Sequence, residues 1–243
     1  MKTSIVWFKT DLRLHDNETL IKAIAQSDQI IPVYCFDDSH FEETNFGFMK
    51  TGNFRAQFLL ESLVDLDKNL RELGSGLLVL KGKPELEIPK IVQQFKATKV
   101  FAKREVSYEE KQTETLVQTA LFKLKCELLT FSTSTLYHAE DLPFSIKDIP
   151  DVFTNFRKKT EKDAIIREAF DAPTEIKSPE IPQLFLPTLE ELNLTFTPID
   201  SRAVVPFKGG ETEAIARLNH YFFETKSISK YKETRNGLIG ADY

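Results

Sequence analysis

The chain has 243 residues, 41% hydrophobic and 28% charged, with a formal net charge of −5. That is enough chain for a full core without disulfide or metal staples. The charge balance gives no reason to expect nucleic-acid binding by this chain alone.

The opening, MKTSIVWFKTDLRLHD, turns charged after one short apolar run. Neither a signal peptide nor a membrane span is expected there or further on, and the cytoplasm is the expected compartment. Five short apolar, β-branched runs predict strands over 4–9, 30–36, 76–81, 99–104 and 126–132. Between them, apolar residues recur at helical spacing over 17–26, 54–73, 84–95 and 107–124. Thr51 is placed to cap the second helix, and Pro84 suits a first-turn position. Ser107 with Glu110 has capping-box spacing. Pro89 should shorten or kink the third helix.

Strands apolar on both faces and alternating with helices predict an α/β fold. The expectation is a doubly wound five-stranded parallel sheet, Rossmann-like with flavodoxin-type layers, over residues 1–133. A long connector follows over 134–205, with a short helix at 151–162 and single prolines spread through 170–206. It reads either as an ordered path across a surface or as a partly mobile linker. Residues 206–243 carry C-terminal helices, the first predicted over 209–226 with Glu211 and Glu213 in its first turn.

In such sheets ligands bind at the carboxyl ends of the strands, where strand order reverses. That rule selects Phe8 to Arg13, Phe36 to Ser39 (with Asp37 among them), Gly82 with Lys83, and Glu105 to Glu110. No GxGxxG, Walker, HExxH, GxSxG or CxxC motif is present, which argues against dehydrogenases and P-loop enzymes. The four histidines lack ligand spacing, and no metal site is expected. Cys35 and Cys126 lie far apart in apolar runs and read as buried thiols in a reducing compartment.

Three stretches leave two readings open. VWFKTDLRLHDN (6–17) is either a polar wall around an aromatic ligand or a loop capped by Asp16 or Asn17 and buttressed by Arg13. In KREVSYEE (103–110), Glu109 and Glu110 suit a helix N-terminus, whereas Glu105 at a strand end suits a ring with N–H donors. In KTGNFR (50–55), Lys50 and Arg55 either pair with an anionic group on a ligand or form a solvated basic turn.

Together with PVYCFDDSHF, DLPFSIKDIPDVFTNFRKKTE, GGETEAIARLNHYF and YKETRNGLIGADY, these stretches resemble the DNA photolyase/cryptochrome family, and its DASH branch in particular, from residue 3 to 243. The usual family form has Arg where this chain has Lys9. The resemblance implies an α/β antenna domain holding methenyltetrahydrofolate, a connector, and a helical domain holding FAD. It implies light-driven splitting of cyclobutane pyrimidine dimers, a carbon–carbon lyase reaction on single-stranded or damaged DNA.

Carried over onto matching segments, Phe8, Lys9, Asp37, Glu105, Glu109 and Glu110 border the antenna site, with Glu109 ranked first, then Glu105, then Glu110. Tyr231 matches a tyrosine at the edge of the FAD phosphate site. The family's phosphate-holding serine-rich stretch would follow GADY, so this chain reads as an antenna domain and connector without most of its FAD domain. It is expected to be inactive in repair by itself, to hold folate weakly, to have the absent helical domain as its partner in cis, and to dimerise or aggregate through an exposed 205–243. Two rival readings are a stand-alone nucleotide- or flavin-binding domain of electron-transfer-flavoprotein or universal-stress type, and a non-catalytic interaction module docking through its aromatic connector.

Overall fold

The computed structural model describes residues 1–203 and 207–236. Strands β1 (Thr3–Phe8), β2 (Gln29–Phe36), β3 (Leu78–Lys81), β4 (Lys99–Lys103) and β5 (Glu127–Phe131) form one sheet, every pairing parallel, in the order β3-β2-β1-β4-β5. Helices α1 (Glu18–Gln26), α2 (Asn53–Glu72), α3 (Pro84–Phe95) and α4 (Tyr108–Lys123) connect them. The expected α/β sheet is therefore present. The chain runs outward from β1 to β3, then returns to the other side of β1 at β4. The turns after β1 and β4 consequently diverge and leave a crevice between them.

Strand alternation splits the core into two layers. Val6, Phe8, Tyr34, Phe36 and Phe101 pack against α1 and α2 through Leu20, Leu63, Leu66 and Leu70. Ile5, Trp7, Val33, Val100 and Ala102 face α3 and α4 through Ile88, Val92, Val117 and Leu121. Cys35 and Cys126 are buried free thiols in this second layer.

Several helix-end expectations change. The N-cap of α2 is Gly52, not Thr51, whose side chain is buried instead. Ser107 does cap α4 by position, but its side chain makes no capping bond, so the capping box with Glu110 does not form. Pro89 sits inside α3 without ending it: the helix continues to Phe95. The lost bond involves only the Glu85 carbonyl near the N-terminal end, where a helix tolerates it best.

Beyond the sheet, α5 spans Phe153–Asp163. The proline-rich stretch that follows is tied to the body. Asp16 N donates to the Phe170 carbonyl, Ile176 N to Leu73 and Ile30 N to Lys177, each at 2.8 Å. Ile176, Ile181, Leu192 and Leu194 are buried in the two core layers. Of the two connector readings, the ordered path holds here, because buried apolar anchors and backbone bonds oppose the entropy of a free linker.

The expected helix over 209–226 is α6 (Glu211–Asn219), widened into a π-turn over His220–Glu224. Its start is clamped by carboxylates. Glu61 accepts from Gly209 N at 2.7 Å and Asp65 from Thr212 N at 3.0 Å. Asp65 thus supplies the cap that Gly210 cannot. Glu211 accepts from Leu14 N at 2.7 Å and His15 N at 2.9 Å, which joins α6 to the β1–α1 loop. A Cβ on Gly209 would lie 2.1 Å from the Phe58 carbonyl oxygen, so only glycine permits this approach. The last helix among the described residues, α7, is Tyr231–Thr234. The family-like ending GLIGADY (237–243) lies outside the described residues, as do 204–206.

Candidate functional site

A cavity of about 330 Å³ opens at the carboxyl ends of β1, β2 and β4. Trp7 and Phe8 line it from β1, and Tyr34 and Cys35 from β2. Arg55, Phe58, Leu59 and Ser62 form the α2 wall. Glu105, Glu109, Glu110 and Thr113 form the opposing wall from the β4–α4 turn and α4. Helix α2 reaches the cavity because Arg55, Phe58, Leu59 and Ser62 recur at three and four residues, on one face.

The loop after β1 is braced from within. Asn17 caps α1 by accepting from Leu20 N at 3.1 Å, while its amide donates to the carbonyls of Arg13 at 2.9 Å and Asp11 at 3.3 Å. Arg13 donates to the carbonyls of His15 and Asp16 at 3.0 and 2.9 Å. Both readings of this loop therefore apply to different residues: Asn17 and Arg13 hold it, while Lys9, Thr10 and Leu12 line the cavity. Asp11 is 3% exposed, and burial pushes its carboxyl above the usual range, although Lys9 N donates to it at 3.0 Å.

Lys9 is fully engaged. Its ammonium donates to the Lys103 carbonyl at 2.9 Å and to Glu114 at 3.2 Å, and lies 4.3 Å from the centroid of the Trp7 ring. It ties β1 to β4 and α4 more than it offers a charge to a ligand. Glu105 is held at 3.6 Å from Lys103 and accepts from Thr10 at 3.0 Å. Glu109 is bridged by Lys50, whose hydrogen bond and charge hold its carboxyl below the ordinary value. Glu110, released from the absent capping box, has no hydrogen-bond or ion-pair partner among the described residues.

Asp37 lines the cavity but is committed to capping a 3-10 turn, Asp38–Phe41, by accepting from Ser39 N at 2.9 Å. Burial raises the Tyr34 hydroxyl's pKa. Burial first, then the Asp37 charge, raises that of the Cys35 thiol. The cavity thus combines a phenol and a thiol held neutral by burial with acidic and basic side chains.

The fold brings Phe8, Lys9, Asp37, Glu105, Glu109 and Glu110 to one cavity, and Tyr231 does not line it. Tyr231 begins α7, directly after the short turn Ser227–Lys230. Sequence reading missed Tyr34, Phe58 and Leu59 as lining residues. They read as core positions, and only the tertiary fold brings the end of β2, with Tyr34, and α2, with Phe58 and Leu59, to the same cavity.

A sheet in Rossmann order with a cavity at its switch point places this chain in the α/β class whose ligands characteristically bind at strand ends. The chain belongs to the DNA photolyase family, whose model matches residues 4–179. It is similar to Cryptochrome DASH of Gloeobacter violaceus, 45% identical over 245 residues, covering 100% of this chain and 49% of that protein. Cryptochrome DASH of Danio rerio is 43% identical over 247 residues, covering 100% of this chain and 48% of its own length. The crystal structure of Synechocystis cryptochrome superposes with a TM-score of 0.94 at 43% identity, over 100% of this chain and 50% of that one. A class III photolyase from Agrobacterium tumefaciens, 24% identical, shares the fold at a TM-score of 0.78, over 97% of this chain and 47% of its own. The chain spans about half the length of the relatives it matches. Among the described residues, no helix is long and apolar enough to cross a membrane.

Proposed function

We propose that residues 1–133 form an antenna domain whose cavity binds methenyltetrahydrofolate, residues 134–205 the connector, and 206–243 the start of a helical FAD-binding segment. The observation that carries this reading is one cavity lined both by aromatic side chains, Trp7, Tyr34 and Phe58 among them, and by the carboxylates Glu105, Glu109 and Glu110. A pterin is planar and presents N–H donors along one edge, and carboxylates accept such donors with charge-assisted strength. The residues present fit that group. Phe8 and Tyr34 would supply aromatic surface, Glu109 would accept from the ring edge, and Glu105 and Glu110 would stand beside it. When bound, the folate supplies near-UV absorption and passes its excitation to a second chromophore.

In this reading the second chromophore is FAD in a helical segment acting in cis, with Tyr231 at its edge. The combined protein would split cyclobutane pyrimidine dimers in single-stranded DNA, on a base turned out of its stack. Without that segment the 243-residue chain is expected to be inactive in repair, to bind folate weakly, and to associate through 205–243.

The test is a titration of the purified protein with 5,10-methenyltetrahydrofolate, followed by its near-UV absorbance and fluorescence, alongside thermal shifts with ATP, FMN and FAD. Saturable folate binding weakened at least about fivefold by Glu109→Gln is expected, the loss of one charge-assisted bond. Stabilisation by ATP alone would instead favour a nucleotide-binding domain, and a protein that takes up no folate would end the proposal.

A further inference from the structure

We infer that Arg55 makes this cavity an anion-reading site: it binds the carboxylate or phosphate carried by the flat heterocycle whose ring lies among the aromatic side chains. This rests on the chromophore reading above and adds the ligand's charge to it.

Three cationic side chains of Lys or Arg line the cavity among the described residues. Lys9 is spent on Glu114, the Lys103 carbonyl and the Trp7 ring. Lys50 is spent on Glu109. Arg55 makes no hydrogen bond or ion pair with any described residue. Its own helix places no acid at the neighbouring positions three or four residues away. The first turn of α2 has none, and the residues three and four further on are Phe58 and Leu59. Nor does the guanidinium simply point away. It lies near enough to Tyr34 for its charge to oppose the upward push of burial on the phenol.

The cavity is therefore zoned. Glu105, Glu109 and Glu110 border one side, Arg55 stands on the α2 side, and apolar and aromatic surface lies between. Of the four carboxylates at the cavity, Glu105 and Glu109 are ion-paired, whereas Asp37 and Glu110 have no basic partner among the described residues and would repel an anionic ligand unless a cation received its negative end. A planar guanidinium fork suits that task, since it binds carboxylate or phosphate through two parallel hydrogen bonds. The fitting ligand class is a heteroaromatic ring with N–H donors at one end and an anion at the other. A folate with its glutamate tail and a flavin with its phosphate both have that form.

The experiment compares each anionic ligand with its neutral partner on the intact 243-residue protein. The pairs are methenyltetrahydrofolate against its glutamate diamide, and FMN against riboflavin, by fluorescence titration. The expected result is a preference of about fivefold or more for the anionic member of the pair that binds, shrinking as salt rises. Arg55→Gln should abolish that preference by weakening the anionic partner more than the neutral one, and Arg55→Lys should restore part of it. Because Arg55 is exposed, circular dichroism and Tm should be unaltered in both variants. Equal binding of the anionic and neutral members, or a preference that survives in Arg55→Gln, overturns the inference and leaves the chromophore reading standing. No binding by any of the four ligands overturns both.

Discussion

Replacing Asn17 with alanine removes a single side chain that does three jobs in a place water cannot reach. Asn17 is 1% exposed. Its oxygen caps α1 at Leu20 N, and loss of such a cap costs about 1 kcal/mol. Its amide nitrogen donates to Arg13 and Asp11, at 2.9 and 3.3 Å. The Asp11 carbonyl keeps a partner in Arg13 N at 2.7 Å, whereas the Arg13 carbonyl loses its donor. Those two donations together contribute about 1–2 kcal/mol, the longer one at the weak end of the range. The expected total is about 2–3 kcal/mol, a fall in Tm of about 4–12 °C for a chain this long. Asn17→Asp keeps the acceptor and loses both donations, so it should show about half to two-thirds of the loss. Urea denaturation and thermal melting by circular dichroism measure both. An alanine variant within about 0.5 kcal/mol of the parent, or an aspartate variant equal to it, would refute the reasoning. Since the same loop carries Lys9, Thr10 and Leu12 to the cavity, folate affinity should fall with stability in the alanine variant.

Two further outcomes follow from other contacts. Gly209→Ala places a Cβ against the Phe58 carbonyl, so α6 should lift from α2 and lose the Glu61 and Asp65 bonds. Amide exchange over 209–219 should accelerate about tenfold or more while the sheet stays protected, and unchanged exchange there would count against the clamp. The second concerns alkaline pH. Burial raises the Cys35 thiol, and raises Cys126 to about 11 from an ordinary value of 9.0. Above pH 9 the unfolded chain then releases protons that the native state retains, so stability declines as pH rises toward 11. The Tm of Cys126→Ala should fall less steeply than that of the parent between pH 9 and 11. Parallel slopes would show that this thiol is not the group responsible.

Much of the architecture was legible before any coordinates, because it follows from local periodicity. Runs such as IIPVYCF and the three-and-four spacing of FRAQFLLESLVDLDKNLREL define strand and helix with little help from distant residues. The strand-end rule then pointed to Phe8, Lys9, Asp37 and the Glu105–Glu110 turn, and the fold does gather them at one cavity. Helix ends were read less well. Thr51 and the Ser107–Glu110 pair had the right residue types, yet burial of one and the geometry of the other put their side chains elsewhere.

The sequence by itself determined the class of fold, the family resemblance and the turns that would border a ligand, since each depends on residues close together in the chain. Only the tertiary structure decided which charges are spent and which are free. Lys9 meets Glu114 across 105 residues and Lys50 meets Glu109 across 59, and Glu211 reaches Leu14 across 197. No local pattern records such pairings. They arise because strand order brings β1 beside β4 and the connector returns α6 to α2, and they leave Arg55 and Glu110 at the cavity without hydrogen-bond or ion-pair partners among the described residues.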